Sequence, residues 1–260
     1  MPMAEHHRHS LGTTPFRLGA IALWALLVPA AGLCAPAAPT KPIPTLTQEG
    51  LRVQDTLGQR LQACTPCHGK EGVATPSGYF PRIAGKPQGY LFEQLLNFQE
   101  GRRGHAAMRH LVQPLSAPYL REISVHFAEL ELPYAPPERL NTPPEVLQRG
   151  RQLALEGDAA RQLPACAACH GSRLTGALPA TPGLLGLSKD YLSAQLGAWR
   201  NGLRKAREPD CMKHISDRLA DADIHAVTAY LASQPLTRNT RAADDVQAPA
   251  QPHCAAPRPS

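Results

Sequence analysis

The sequence carries no strand signal of any length: nowhere do β-branched or aromatic residues alternate with polar ones over a run. That excludes sheet architectures and any βαβ frame. Basic residues never interleave with aromatics, so the formal net charge of +6 does not describe a nucleic-acid surface. The longest uncharged apolar stretch, "LGAIALWALLV", has eleven residues and is short of the ~20 that a membrane span requires. Methionine is scarce as well, with four residues in the whole chain, two of them in the first three positions.

What is present begins with a leader. Arg8 and Arg17 precede the apolar stretch, and the small-residue segment "PAAGLCAPAA" follows it, the layout of a secretory signal peptide over residues 1–35. A membrane anchor is the alternative reading. Leu33 before Cys34 fits a lipoprotein cleavage site poorly. Export places the six cysteines beyond the leader in an oxidising space, and Cys34 leaves with the leader if it is cleaved. The leader holds two arginines and one glutamate, so its loss lowers the net charge by one.

The main fact of organisation is a repeat. Cys64, Cys67 and His68 in "QACTPCHG" recur 102 positions later as Cys166, Cys169 and His170 in "PACAACHG". Downstream, "FPRIAGKPQGYLFEQLLNFQEGRRG" aligns with "TPGLLGLSKDYLSAQLGAWRNGLRK": Pro81 with Pro182, Gly85 with Gly186, Tyr90 with Tyr191, Gln94 with Gln195, Phe98 with Trp199 and Arg103 with Arg204. Met108 aligns with Met212. Each repeat closes with a helical stripe, Leu120, Ile123 and Phe127 in one and Ile224, Val227 and Leu231 in the other. Thr142 with Glu145 three residues on predicts a capped helix start for the second repeat, and Thr45–Gln48 offers a similar start for the first. The expected organisation is therefore all-α: a domain over 45–132, a proline-rich linker over 133–142, a domain over 143–236 and a loosely ordered tail over 237–260. Domains of about ninety residues bury little on their own and usually need a metal, a disulfide or a large cofactor.

The Cys-x-x-Cys-His motif names that cofactor. Cysteines three apart share one face of a helical turn and can bond the two vinyl groups of a porphyrin, while the adjacent imidazole meets the iron: the attachment signature of covalent haem. A four-thiolate zinc site and a thioredoxin-like redox pair compete, but each motif carries its own histidine and no βαβ context exists. Two such motifs imply two covalently bound haem c groups. The sixth position on each iron is offered Met108 and Met212, which lie 40 and 42 residues after His68 and His170. A methionine also fills core gaps, and His105, His110, Lys213 and His214 are rival ligands close by. Methionine ligation raises the potential relative to histidine.

Each half resembles a class I cytochrome c, and the pair, with its Gln-x-x-x-aromatic-x-x-Gly-x-Arg pattern, resembles the dihaem cytochrome c4 family over nearly the whole chain between leader and tail. The resemblance implies a periplasmic electron carrier with two His/Met haems. Its partners would be a quinol-oxidising complex or a dehydrogenase as donor and a terminal oxidase or reductase as acceptor, with peripheral membrane association open. It also implies that Pro81 and Pro182 offer carbonyls to the second nitrogen of His68 and His170, that Arg103 and Arg204 pair with haem propionates, and that Tyr90, Tyr191, Phe98 and Trp199 pack the haem pockets. One departure stands out: Cys211 sits beside Met212, which leaves open a disulfide to Cys254 or thiolate ligation of the second iron. The alternatives to a free carrier are the electron-accepting subunit of a sulfide- or alcohol-oxidising dehydrogenase, a catalytic dihaem enzyme oxidising thiosulfate or reducing peroxide, and a thiol–disulfide exchange protein.

Overall fold

Helices begin where the sequence can satisfy their first amides. In the computed structural model, which describes residues 56–236 and 239–244, Thr56 caps α1 (Leu57–Leu61), Ser116 caps α5 (Ala117–Glu129) and Ser188 caps α8 (Lys189–Arg200), each hydroxyl accepting from an amide three residues on. The leader, the Thr45–Gln48 start, Cys34, Cys254 and residues 245–260 lie outside the described residues.

The first repeat runs α1, α2 (Thr65–His68), α3 (Gln88–Gln99), α4 (Ala106–Val112) and α5. The second runs α6 (Pro144–Leu155), α7 (Cys166–His170), α8, α9 (Cys211–Arg218) and α10 (Asp221–Ser233). A short antiparallel pair, β1 (Gly176–Ala177) with β2 (Thr181–Pro182), lies between α7 and α8. Two-residue strands follow from turn geometry rather than from a hydrophobic pattern, so periodicity does not reveal them. The cap expected at Thr142 is also displaced. The helix starts one turn-position later, on Pro143 and Pro144, where a proline's missing N–H costs nothing.

Two apolar clusters form the interior, one per repeat. In the first, Leu120, Ile123 and Phe127 of α5 meet Leu91, Leu96 and Phe98 of α3. In the second, Val227 and Leu231 of α10 meet Leu153 of α6 and Leu192 of α8. α6 and α10 approach most closely at Gly150, where a Cβ would lie 2.1 Å from the Ala226 carbonyl oxygen; only glycine permits that crossing. An ion-pair network braces the same region. Arg149 and Arg161 each bond both Asp158 and Asp223, and Asp223 also accepts from the Ala220 amide that opens α10.

The segment between the repeats is held from both sides. Arg82 of the first repeat donates to the Pro133 and Leu132 carbonyls and stacks 3.9 Å from the Tyr134 ring centre. The Glu138 amide donates to Ala232 O in the second repeat. Within the stretch expected to be a loose tail, residues 239–244 are tied down: Ala243 exchanges backbone hydrogen bonds with Gly176 and Leu178, and Arg241 O accepts from Thr175 Oγ1.

Candidate haem-binding sites

Each Cys-x-x-Cys-His motif occupies a single helical turn, so both thiols and the imidazole leave one short stretch of backbone. Cys64 opens α2, which ends on His68; Cys166 opens α7, which ends on His170. Both imidazoles are buried. His68 Nδ1 lies 2.9 Å from the Pro81 carbonyl oxygen and His170 Nδ1 lies 2.7 Å from that of Pro182. A carbonyl can only accept, so each ring carries its proton on Nδ1 and presents a bare Nε2, the form that binds a metal. Burial pushes both imidazole pKa values below their ordinary range, against the pull of the proline carbonyls, which keeps the rings neutral.

Burial raises the Cys64 pKa, helped by Cys67, and pushes Cys166 up to about 11. A disulfide-exchange cysteine is instead acidified. Among the described residues no three His, Cys, Asp or Glu side chains gather into a metal cage.

Met108 lies half-buried on α4, against the first apolar cluster, and Met212 half-buried on α9. Their rivals are engaged or exposed. Lys213 Nζ bonds both oxygens of Asp217 at 2.6 Å, and His214 Nδ1 accepts from Arg218 at 2.8 Å. In the first repeat His105 caps α4, its Nδ1 accepting from the Met108 amide, while His110 is exposed.

Arg103 and Arg204 meet where the repeats join. Their backbones form an antiparallel bridge, flanked by Gly104 N to Leu203 O and Lys205 N to Arg102 O. Arg103 donates to Gln94 of its own repeat and to Tyr191 and Gln195 of the other. Arg204 mirrors it, donating to Gln195 and to Tyr90 and Gln94. The tyrosines therefore do more than pack: each hydroxyl accepts from the arginine of the opposite repeat. Linear sequence cannot show this, because every bond that crosses between the repeats spans about ninety residues or more.

The cluster has an excess of positive charge. No carboxylate among the described residues pairs with either guanidinium. Burial raises the Tyr90 phenol, but Arg204 and Arg103 outweigh it and bring its pKa down to about 8. Beside Arg204, the Trp199 ring stacks 3.8 Å from the guanidinium carbon, and its buried indole N–H has no partner. A buried and a half-buried cation with an orphaned donor suit carboxylate-bearing groups such as haem propionates. The residues fit the cofactor that the motifs require.

Lys86 escaped the sequence reading. It is 4% exposed, belongs to the first repeat, and reaches Gly183 O of the second at 3.2 Å. The signal was present in the repeat alignment, which sets Lys86 against Leu187.

Comparison with known proteins agrees with this chemistry. The cytochrome c family model matches residues 147–235. The thiosulfate dehydrogenase electron acceptor of Thiomonas intermedia (strain K12) is 36% identical over 67% of this chain and 80% of its own length. Cytochrome c4 of Pseudomonas aeruginosa is 30% identical over 66% of this chain and 84% of its own. The crystal structure of reduced cytochrome c4 from Pseudomonas stutzeri superposes with a TM-score of 0.60 at 26% identity, covering 67% of this chain and 95% of that one. With its duplicated class I cytochrome c fold and two covalently bound haem c groups, the chain belongs to the dihaem cytochrome c4 family of electron-transfer proteins.

Proposed function

We propose that this chain is a periplasmic carrier that accepts single electrons from a thiosulfate dehydrogenase and passes them to a terminal oxidase or reductase. Cys64 and Cys67 would anchor one haem and Cys166 and Cys169 the other, with His68 and Met108, and His170 and Met212, as axial ligands. Each haem, when bound, supplies an iron that takes up and releases one electron. The chain's residues do the rest. Pro81 and Pro182 fix the imidazoles in one tautomer and orientation, and the apolar clusters exclude water. The Arg103–Arg204 cluster locks the two sites into one unit, so an electron entering at one can leave by the other.

The observation that supports the carrier reading over the catalytic one is the engagement of Lys213 and His214 on their own helix, which favours Met212 over either of them as the ligand. A six-coordinate iron with protein ligands on both faces has no position for a substrate. The donor is supported by the 36% identity to a thiosulfate dehydrogenase electron acceptor across 80% of that protein. Oxidative coupling of two thiosulfate ions releases two electrons, which two one-electron centres can take together.

Stopped-flow mixing tests this directly. Oxidised protein mixed with thiosulfate alone should stay oxidised. With a catalytic amount of thiosulfate dehydrogenase added, both haems should reduce to completion. Turnover of thiosulfate by the chain alone would make it the enzyme, and no reduction in either mixture would point to a quinol-oxidising donor.

A further inference from the structure

We infer that Lys86 is a positioning residue of the electron path: a cation that the first repeat inserts beside the second haem site to raise the reduction potential of that haem alone. The inference rests on His170 holding the second iron.

The geometry is asymmetric, whereas the Arg103 and Arg204 contacts mirror each other. Lys86 lies between Gly85 and Pro87, just ahead of α3, and is almost fully buried. Its ammonium crosses to the second repeat and donates to Gly183 O at 3.2 Å. Gly183 directly follows Pro182, whose carbonyl holds His170 Nδ1. No carboxylate among the described residues pairs with Lys86. In the second repeat the aligned residue is Leu187, so no lysine is returned to the His68 site. The aligned partner of Gly183 in the first repeat is Arg82, and its guanidinium is spent on the Ala84, Leu132 and Pro133 carbonyls.

The physics sets the sign. Reduction of a ferric haem removes one positive charge from its centre. A fixed cation a short distance away, in a poorly polarisable interior, destabilises the oxidised form more than the reduced one. Because the cation belongs to the other repeat, the second haem's potential also depends on the two repeats staying docked.

The test is a redox titration of the full holoprotein followed by NMR, with each haem's signals assigned through its own thioether cysteines, Cys64 and Cys67 or Cys166 and Cys169. Lys86→Gln and Lys86→Met both remove the charge, and the second guards against a polar substitution that misfolds. Each should weaken reduction of the second haem about tenfold, ~59 mV for a one-electron couple, and move the first haem far less. Lys86→Arg should restore the wild-type value. An unmoved second haem, equal shifts of both haems, or failure of arginine to rescue would overturn the inference. Failure of the underlying reading looks different: the wild-type protein itself would lack the His170 and methionine signals of an axially ligated second haem.

Discussion

Replacing Met212 with histidine lowers the midpoint potential of the second haem by roughly 0.2–0.3 V, a sizeable part of the ~0.8 V that axial ligands span. Thioether sulfur stabilises ferrous iron, whereas a second imidazole stabilises ferric iron. The weak far-red absorption of methionine-ligated ferric haem should fall by half, and the first haem should titrate where it did. The equivalent change at Met108 should act on the first haem in the same way. Spectroelectrochemistry of the two variants checks both. If Met212→His leaves the second haem unmoved, the iron takes its ligand elsewhere in the Cys211–His214 cluster. If that ligand is Lys213 or His214, its ion pair with Asp217 or its bond to Arg218 would have to break in the holoprotein.

The second large effect is structural. Gly150→Val drives a side chain into the α6–α10 crossing. The first carbon alone would stand 2.1 Å from Ala226 O and 2.7 Å from both Ala226 C and Tyr230 Cβ. These are backbone atoms and the root of a side chain, so no rotamer relieves the contact. Overpacking typically costs 1–3 kcal/mol, and a clash with helix backbone exceeds that range, to about 4 kcal/mol. On a ninety-residue repeat this lowers the melting temperature by more than ~15 °C. Gly58 of α1 is the built-in control: a Cβ there meets nothing nearer than Thr56 Oγ1 at 4.0 Å. Gly58→Val should therefore melt within a few degrees of the wild type, paying only the modest helix penalty of a β-branched residue. Thermal melts by far-ultraviolet circular dichroism, read beside haem absorbance, separate the two variants.

Much of this was legible in the sequence, for local reasons. The two Cys-x-x-Cys-His motifs are contiguous, so one turn of helix determines their geometry. The stripes Leu120–Ile123–Phe127 and Ile224–Val227–Leu231 follow a period that any amphipathic helix shows, and all but the half-buried Ile224 lie in the interior. What sequence could not show depends on pairs distant along the chain. Arg103 reads as one half of a repeated motif, and nothing in the motif says that its guanidinium crosses to Tyr191 and Gln195. Lys86 reads as a solvated lysine in a loop, since burial of a lysine against the other repeat has no local pattern. The β1–β2 pair and the docking of Ala243 on Gly176 are backbone matters that side-chain periodicity does not encode. The cap shift from Thr142 to Pro143 has a different origin. Two signals competed at the same end, and proline's fixed φ prevailed over a hydroxyl.

A carrier of this kind needs two irons, each held between an imidazole and a thioether. An optical redox titration of the purified holoprotein, monitored at the far-red band, measures that claim most directly. The expected result is a band of two-haem strength that disappears on reduction in two high-potential one-electron steps. A band of one-haem strength, or one step displaced to a much lower potential, would contradict the account and move the second site from carrier to catalyst.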